Sequence, residues 1–556
     1  MTTDLLPLLA SDGSGARLLV ALVPGLPLVA MLTIAVLRPG HRVATRVALT
    51  GATATGLGAG ILLALTGDGA LPSPGGWLLA DRVGAAIALL AATVAVTVLA
   101  YAGRALFGDP GGVRFAALAA GLTAATSTLA LAGTLVVLVA AWIAVGALLV
   151  AALAIRPGHA AVDVAVRRTR RSFLVGDSAL VAAVVLVTAA VGPVALDRRL
   201  APLVAELAAT SAPGPLALPL LDVVAVLVVV AAVSRSALLP LHRWLPATLA
   251  APTPVSALLH AGVVNGAGVL LLALGPVVLA STAGTWLAFG LGVATAVVAL
   301  GVMLVRSDVK GALAWSTSAQ MGFMVVQLAI GAFGAALVHL IGHGLYKAAA
   351  FLGAGGRVSA VARARHRQLP TAPPSAAVLL AGRVAIPLLA TGTAVALVRP
   401  GFGPAKLLLV SVLLAVTLAH LLSGWLATSP LGSAATLLVG ALLAPLLASL
   451  YLGGIVLVER VVGSALPTAG PAAIGVVPLA VTLAGITALV MLVRIAPASA
   501  HTGVHAWLVG IGTAPAAARL RSRGRRIRPV PAAGASAPEP ARAAYAAPTS
   551  AAPTSR

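Results

Sequence analysis

Apolar runs of about 20 residues recur from Leu18 to Val493, and most charged residues lie in the short stretches between them. A run of that length, coiled as a helix, crosses the hydrocarbon core of a bilayer. Lipid offers no partner to a peptide N–H or C=O. A crossing segment must therefore satisfy its own backbone as a helix or join a closed barrel. The runs are continuous rather than alternating, which excludes the barrel. The chain reads as an all-α polytopic membrane protein. Only 9% of its residues are charged and its mean hydropathy is +1.08, whereas soluble domains carry about a quarter charged residues.

About 14 to 15 spans are expected, near 18–37, 47–66, 83–103, 114–132, 134–155, 173–194, 219–249, 254–280, 285–305, 311–328, 332–354, 375–398, 407–427, 433–458 and 472–494. The segment 219–249 is too long for one straight span. Pro240 and Pro246 remove backbone donors inside it, so a broken helix is expected there. Transporters use such breaks where irregular backbone lines a cavity rather than lipid. Four regions follow: N-terminal spans at 1–112, a core at 113–430, C-terminal spans at 431–495, and a basic tail at 496–556. The tail, rich in Ala, Pro, Ser and Arg, cannot bury a core and is expected to be disordered. Its basic run Arg519 to Arg528 suits anionic lipid, or a docking arm for a soluble partner.

The net charge of +23 suggests nucleic acid at first sight, but its distribution has a simpler cause. Arg38, Arg42 and Arg46, then Arg104 and Arg114, then Arg156, Arg167, Arg168, Arg170 and Arg171, fall on one side of the membrane. So do Arg306 and Lys310, and Arg357, Arg363, Arg365 and Arg367. The opposite loops carry few basic residues, so the first group is expected to be cytoplasmic. The N-terminus is then external and the C-terminus cytoplasmic. The first residues carry Asp4 and Asp12 and no basic n-region, and do not read as a cleavable signal. Cysteine is absent, which excludes disulfides, thiolate metal sites and Cys-ligated iron–sulfur clusters from this chain.

Ionisable groups at membrane depth are costly and are functional candidates by default. Lysine is rare here: Lys310, Lys347 and Lys406. Unlike arginine, a desolvated lysine can give up its proton. His339, His343 and Lys347 are spaced i, i+4, i+8 and share one helical face. Such a stripe suits a hydrated proton path, because histidine takes up and releases protons near neutrality. The bland alternative is a snorkelling lysine with two histidines bonded to backbone. A zinc site on His339 and His343 lacks a nearby Cys, Asp or Glu to complete it. His260, early in its span, is a further candidate. Arg235 lies just before the Pro240 break, and Asp177 is a carboxylate that could pair with it. Arg383 and His420 are candidates for a second half-channel. Asn265 and the glycines around it suggest close helix packing.

Three stretches carry a family resemblance: PLHRWLPATLAAPTPVSALLHAG, SDVKGALAWSTSAQMGF and HLIGHGLYKAAAFLGAG. They resemble, in order, the proton-translocating antiporter-like subunits of respiratory complex I and of Mrp antiporters. The resemblance runs from about Arg171 to Gly356. It implies two inverted five-helix repeats, each with a broken helix, and a hydrated axis of Lys and His residues. By motif, Arg235 occupies the family's broken-helix lysine, and His260, Lys310, His339, His343 and Lys347 fall on its His and Lys positions. The chain departs from the family at Ile143, which stands where the fifth span has a Glu paired with that lysine. No clear match to the Lys-bearing second broken helix is found.

A divergent branch fits more closely. The wording LLHAGVVNGAGVLLL and HGLYKAAAFL looks like the membrane subunit of the DAB inorganic-carbon accumulation complex. That resemblance implies a large soluble partner similar to a zinc β-carbonic anhydrase. Proton entry through the membrane subunit would then energise hydration of CO2 to bicarbonate. Catalysis and zinc are expected on the partner, with no cofactor in this chain and a location in the inner (plasma) membrane. Two other readings stand beside it: a complex I-like or Mrp-like subunit, and a scaffold that only anchors a partner. A sodium antiporter should offer carboxylates to strip water from the ion, and the spans hold essentially Asp177 and the terminal Asp222.

Overall fold

The computed structural model describes residues 14–67, 69–196, 200–211, 218–356, 375–397, 404–428, 433–466, 474–495 and 502–512. Every predicted span coincides with a helix or a broken helix pair. Helices α1 (Ser14–Leu37), α2 (His41–Leu65), α3 (Arg82–Ala105), α4 (Gly112–Ala130) and α5 (Leu135–Leu153) come first. A two-stranded antiparallel ribbon, Leu71–Pro72 against Leu79–Ala80, joins α2 to α3. Next are α6 (Ala160–Val191), the short α7 (Ala201–Ala209) and α8 (Leu220–Arg235). The centre holds α9 (Thr253–Ala261), α10 (Gly266–Ala280), α11 (Thr282–Val305), α12 (Val309–Ala329) and α13 (Phe333–Leu352). Ala376–Leu380 runs through a π turn at Ala381–Ala385 into α14 (Ile386–Leu397). The last helices are α15 (Pro404–Thr428), α16 (Ser433–Val462), α17 (Val476–Ile495) and α18 (Thr502–Gly512).

Among the described residues, 10 helices are long and apolar enough to cross a membrane, with α9 and α10 taken together. Helix α8 falls short because a break ends it after 16 residues. Helix α12 falls short because its polar residues lower its hydropathy. Several N-termini are closed by side chains, as apolar surroundings require of the otherwise orphaned N–H groups. Asp81 accepts from Gly84 N (2.6 Å), Ser281 from Gly284 N (2.9 Å) and Asp308 from Gly311 N (2.7 Å).

The expected break after α8 is present. The chain leaves α8 at Arg235, passes Ala237 with φ 53°, and makes two short 3-10 turns, Leu241–Arg243 and Thr248–Ala250, before α9. Side chains take up the freed backbone groups. Trp244 Nε1 donates to Ser234 O (2.9 Å), Ser172 Oγ to Leu241 O (3.2 Å), and Leu239 N to Thr295 Oγ1 (2.9 Å).

A second break was not expected. The sequence reads 254–280 as one span, but the helix is interrupted at Gly262 to Asn265. Asn265 Nδ2 donates to Ala261 O (2.8 Å), replacing an amide the helix no longer supplies. The run stays apolar enough to span despite Ser256, His260 and Asn265, and no proline stands at 262–265 to mark the interruption. The two breaks are cross-braced by Ser236, whose Oγ donates to Val264 O (2.5 Å) and accepts from Ala267 N (2.8 Å).

Helices α11 and α12 form a tight hairpin in which Gly292 and Gly322 let the backbones touch. A Cβ on Gly322 would lie 2.6 Å from Gly292 O. Helix α13 packs on α9, α12 and α3, which encloses the face bearing its histidines and lysine. Residues 502–512, within the segment read as tail, form the helix α18. Its Leu508 packs with Ala299, Val302 and Trp315, and Gly512 O accepts from Arg306 Nη1 (2.8 Å). The described residues belong to one compact unit, 1–514; the basic run 519–528 lies outside them.

Candidate proton pathway

Helices α12 and α13 face each other across a polar seam. Lys347 is fully buried, and its Nζ donates to Leu313 O (3.1 Å) and to Ser316 Oγ. It therefore does not snorkel to a surface. No carboxylate pairs with Lys347 among the described residues. The Leu313 carbonyl is a hub, since it also accepts from Ser316 Oγ (2.8 Å) and Thr317 Oγ1 (2.9 Å).

Thr317 ties His260 into the same hub. His260 is 1% exposed, with Nδ1 3.1 Å from Thr317 Oγ1 and its ring stacked on Phe351 at 4.2 Å. The threonine proton is committed to Leu313 O, so His260 Nδ1 donates and its Nε2 is left as the acceptor. His343 is buried one turn from Lys347. Its Nδ1 meets Gln320 Oε1 (2.7 Å) and its Nε2 meets His260 O (3.2 Å). One turn further, His339 Nδ1 meets Gln327 Oε1 (2.9 Å), and the two histidine rings are 6.0 Å apart. The stripe His339, His343, Lys347 thus presents one face to α12 over about 12 Å of helix.

Each member of this stripe is met by a polar residue of α12: Ser316 for Lys347, Gln320 for His343, Gln327 for His339, with Thr317 serving His260. Sequence reading missed these four. Their signal was available, because residues 313, 316, 317, 320 and 327 repeat with helical period and line one face. Lys310, in the first turn of α12, is half-buried and makes none of the seam's hydrogen bonds among the described residues.

Arg235 and Asp177 form a separate centre. Arg235 is 1% exposed, and its Nη2 donates to Asp177 Oδ1 at 2.7 Å. The guanidinium carbon lies 4.4 Å from the Trp142 ring and 4.2 Å from the Phe173 ring, so two aromatic faces share the charge. Gly146 on α5 makes room for it, since a Cβ there would lie 2.7 Å from Nη1. Ile143 is 39% exposed, and α5 meets the cation through Gly146 and Trp142 instead. The carboxylate partner comes from α6. No hydrogen bond among the described residues joins Arg235 to the α12–α13 seam; the breaks that meet at Ser236 lie between them. Arg383 falls in the π turn and His420 in α15, and their side chains lie outside the described residues.

Comparisons with known proteins bear on the fold that carries these residues. Residues 164–380 match the family described as NADH:quinone oxidoreductase/Mrp antiporter, transmembrane. The structure of the Mrp complex from Dietzia sp. shares the fold, with a TM-score of 0.57 and 23% identity over 92% of this chain and 60% of that one. Residues 164–380 are thus similar to antiporter-like membrane subunits, and the chain shares their fold. It is also homologous to proteins named as inorganic carbon transporter subunits. It is 35% identical over 345 residues to "Probable inorganic carbon transporter subunit DabB1" of Halothiobacillus neapolitanus, covering 61% of each chain. It is 48% identical over 141 residues to "Probable inorganic carbon transporter subunit DabB" of Hydrogenovibrio crunogenus, covering 25% of this chain and 27% of that one. The matched stretch thus spans less than two thirds of either relative's length.

Proposed function

We propose that this chain is the proton-conducting membrane subunit of an inorganic-carbon accumulation complex. In this reading it couples proton motive force to CO2 hydration on a soluble, carbonic-anhydrase-like zinc partner. The observation that carries the proposal is the line of titratable groups His339, His343 and Lys347 on one face of α13, the last two buried, with Lys347 held by Leu313 O and Ser316 Oγ and His260 bonded beside it through Thr317. An ammonium at Lys347 is held by neutral oxygens alone. Its proton can therefore leave without breaking an ion pair, which suits a relay better than a structural charge. His343 and His339 continue the line, and water spans the gaps of about one turn between them. Arg235 is a fixed cation that does not exchange its proton; it sets the potential at the helix breaks while Asp177 balances it.

The basic loops support an orientation with the N-terminus external and the C-terminus cytoplasmic, in what we take to be the plasma membrane. The basic segments 156–172, which include the start of α6, and 357–374, together with the tail, are the surfaces we assign to the partner. The second reading, an Mrp-type or complex I-like subunit, is favoured by the shared fold and family match. Against cation exchange, Asp177 is bonded to Arg235, and Asp222 accepts from Ser281 Oγ (2.5 Å).

Rescue of a carbonic-anhydrase-deficient bacterium in air tests the proposal. The chain is expressed with a large soluble carbonic-anhydrase-like candidate partner, as wild type and as Lys347→Ala. Growth with wild type, lost in an assembled Lys347→Ala complex, is the expected result. Growth that survives the substitution would reduce the stripe to structure. Failure of a well-expressed wild-type pair would favour the respiratory or antiporter reading.

A further inference from the structure

His343 lies between an oxygen that can only accept and an amide that can do either. Its Nε2 is 3.2 Å from the His260 carbonyl, and its Nδ1 is 2.7 Å from the Gln320 side-chain amide. A carbonyl has no proton to give, so Nε2 carries the N–H in every state that keeps this bond. The carbonyl is open because α9 ends at Ala261; in an unbroken helix it would serve the amide four residues on. With Nε2 committed, Nδ1 is the atom at which His343 gains and loses its proton.

The two states of Nδ1 ask opposite things of Gln320. Protonated, Nδ1–H donates to Oε1, the oxygen that faces it at 2.7 Å here. Deprotonated, Nδ1 presents a lone pair, and an amide oxygen facing it at 2.7 Å is repelled. A half-turn of the amide replaces the oxygen with the NH2 group, which donates to Nδ1. We propose that Gln320 is a two-position amide switch that turns over each time His343 takes up or releases a proton. In the releasing step the Nδ1–H bond breaks and its electron pair stays on nitrogen. The proton goes to a water molecule bridging toward His339, with no change of oxidation state. Gln320 is thus a positioning residue.

The surroundings suit the role. The titratable groups around His343 are His339 and Lys347 on its own helix and His260 on α9. Helix α12 faces it with neutral groups, and α3 brings Leu90 against the adjacent Gly344. Helix α16 brings Glu459 beside Gly334, nine residues and about 13 Å from His343 along the helix. Among the described residues no carboxylate is bonded to His343, which leaves the amide to follow the imidazole. Gln320 is half-buried, so it has room to rotate.

This inference rests on the proton-conduction reading, and a spectroscopic test separates the two. Acid-minus-base infrared difference spectra are recorded on the full-length protein in lipid nanodiscs, with 13C-labelled glutamine identifying the amide carbonyl band. We expect a paired shift of one glutamine band in wild type that vanishes in Gln320→Met and equally in His343→Gln. Absence of the band in wild type, or its persistence in His343→Gln, would overturn the switch. Proton flux into liposomes adds the functional arm: Gln320→Met and Gln320→Glu should each lose at least about tenfold. Neither should lower flux further in the His343→Gln background. If wild type conducts while both variants stay within about twofold of it, Gln320 is a spacer and the switch fails. A coupled amide band without any flux would uphold the switch and defeat the proposed function.

Discussion

Asp177→Leu leaves the Arg235 guanidinium buried without its counter-ion. A buried ion pair that loses one partner costs about 3–5 kcal/mol, because the remaining charge is uncompensated. Two features lower that figure here. Asp177 is 20% exposed, so part of its field is already screened, and Trp142 and Phe173 hold the cation between their faces. We expect a loss of about 3 kcal/mol. Asp177→Asn keeps an oxygen for Nη2 and removes only the charge, so it should cost about 2 kcal/mol. Arg235→Met with Asp177→Leu replaces the pair by apolar groups and should lie within about 1 kcal/mol of wild type. The assay is reversible unfolding of the purified protein in mixed micelles, followed by tryptophan fluorescence. A coupling energy of about 3 kcal/mol between the two sites is the expected outcome. Additive losses, or a cost below about 0.5 kcal/mol for Asp177→Leu, would show that the pair does not hold the break together.

Four further outcomes follow from the geometry. Thr317→Val cuts His260 from the Leu313 hub; it should cost about 1 kcal/mol and lower proton flux about tenfold in reconstituted vesicles. Gly146→Val forces the guanidinium off the 2.7 Å position its Nη1 occupies, and should destabilise by about 1–3 kcal/mol in the same unfolding assay. Asn265→Ala strips the donor from Ala261 O, and should cost about 1–2 kcal/mol and speed hydrogen exchange at the second break. In the loop between α3 and α4, the Gly111 N–H and then Arg156 hold the Asp109 carboxyl below the usual carboxylate range. Its folded value lies below its unfolded one, so its contribution is present above about pH 4 and is lost as pH falls through the folded value. Limited proteolysis across that acid range should show the loop loosening in wild type and already loose, without pH dependence, in Asp109→Asn.

The spans were legible because lipid imposes one length and one polarity on every crossing helix, and the runs from Leu18 to Val493 declare both. The break at Pro240 was legible because proline removes a donor in the middle of an over-long run. The break at Gly262 was not, because the polar residues of Leu258 to Leu272, His260 and Asn265, read as a pathway candidate and as packing, and neither removes a backbone donor as proline does. The stripe His339, His343, Lys347 stood out by charge. Its partners on α12 did not, because Ser316, Thr317, Gln320 and Gln327 are uncharged and a scan for ionisable groups passes over them. The Arg235–Asp177 pair was anticipated from the shortage of other carboxylates. The carboxylate beside Arg235 comes from α6, and Gly146 on α5 makes room for the guanidinium. That centre involves three helices, and only the fold brings them together.

The central claim is that protons cross this protein through Lys347. The most direct measurement is proton entry into liposomes carrying the protein with the proposed soluble partner, under an imposed potential and read by an internal pH-sensitive dye. Wild type should acidify the lumen, and Lys347→Ala and the non-exchanging Lys347→Arg should both stop it in complexes that still assemble. Flux that persists at the wild-type rate in Lys347→Arg would contradict the account, because an arginine there can hold the charge but cannot pass the proton on.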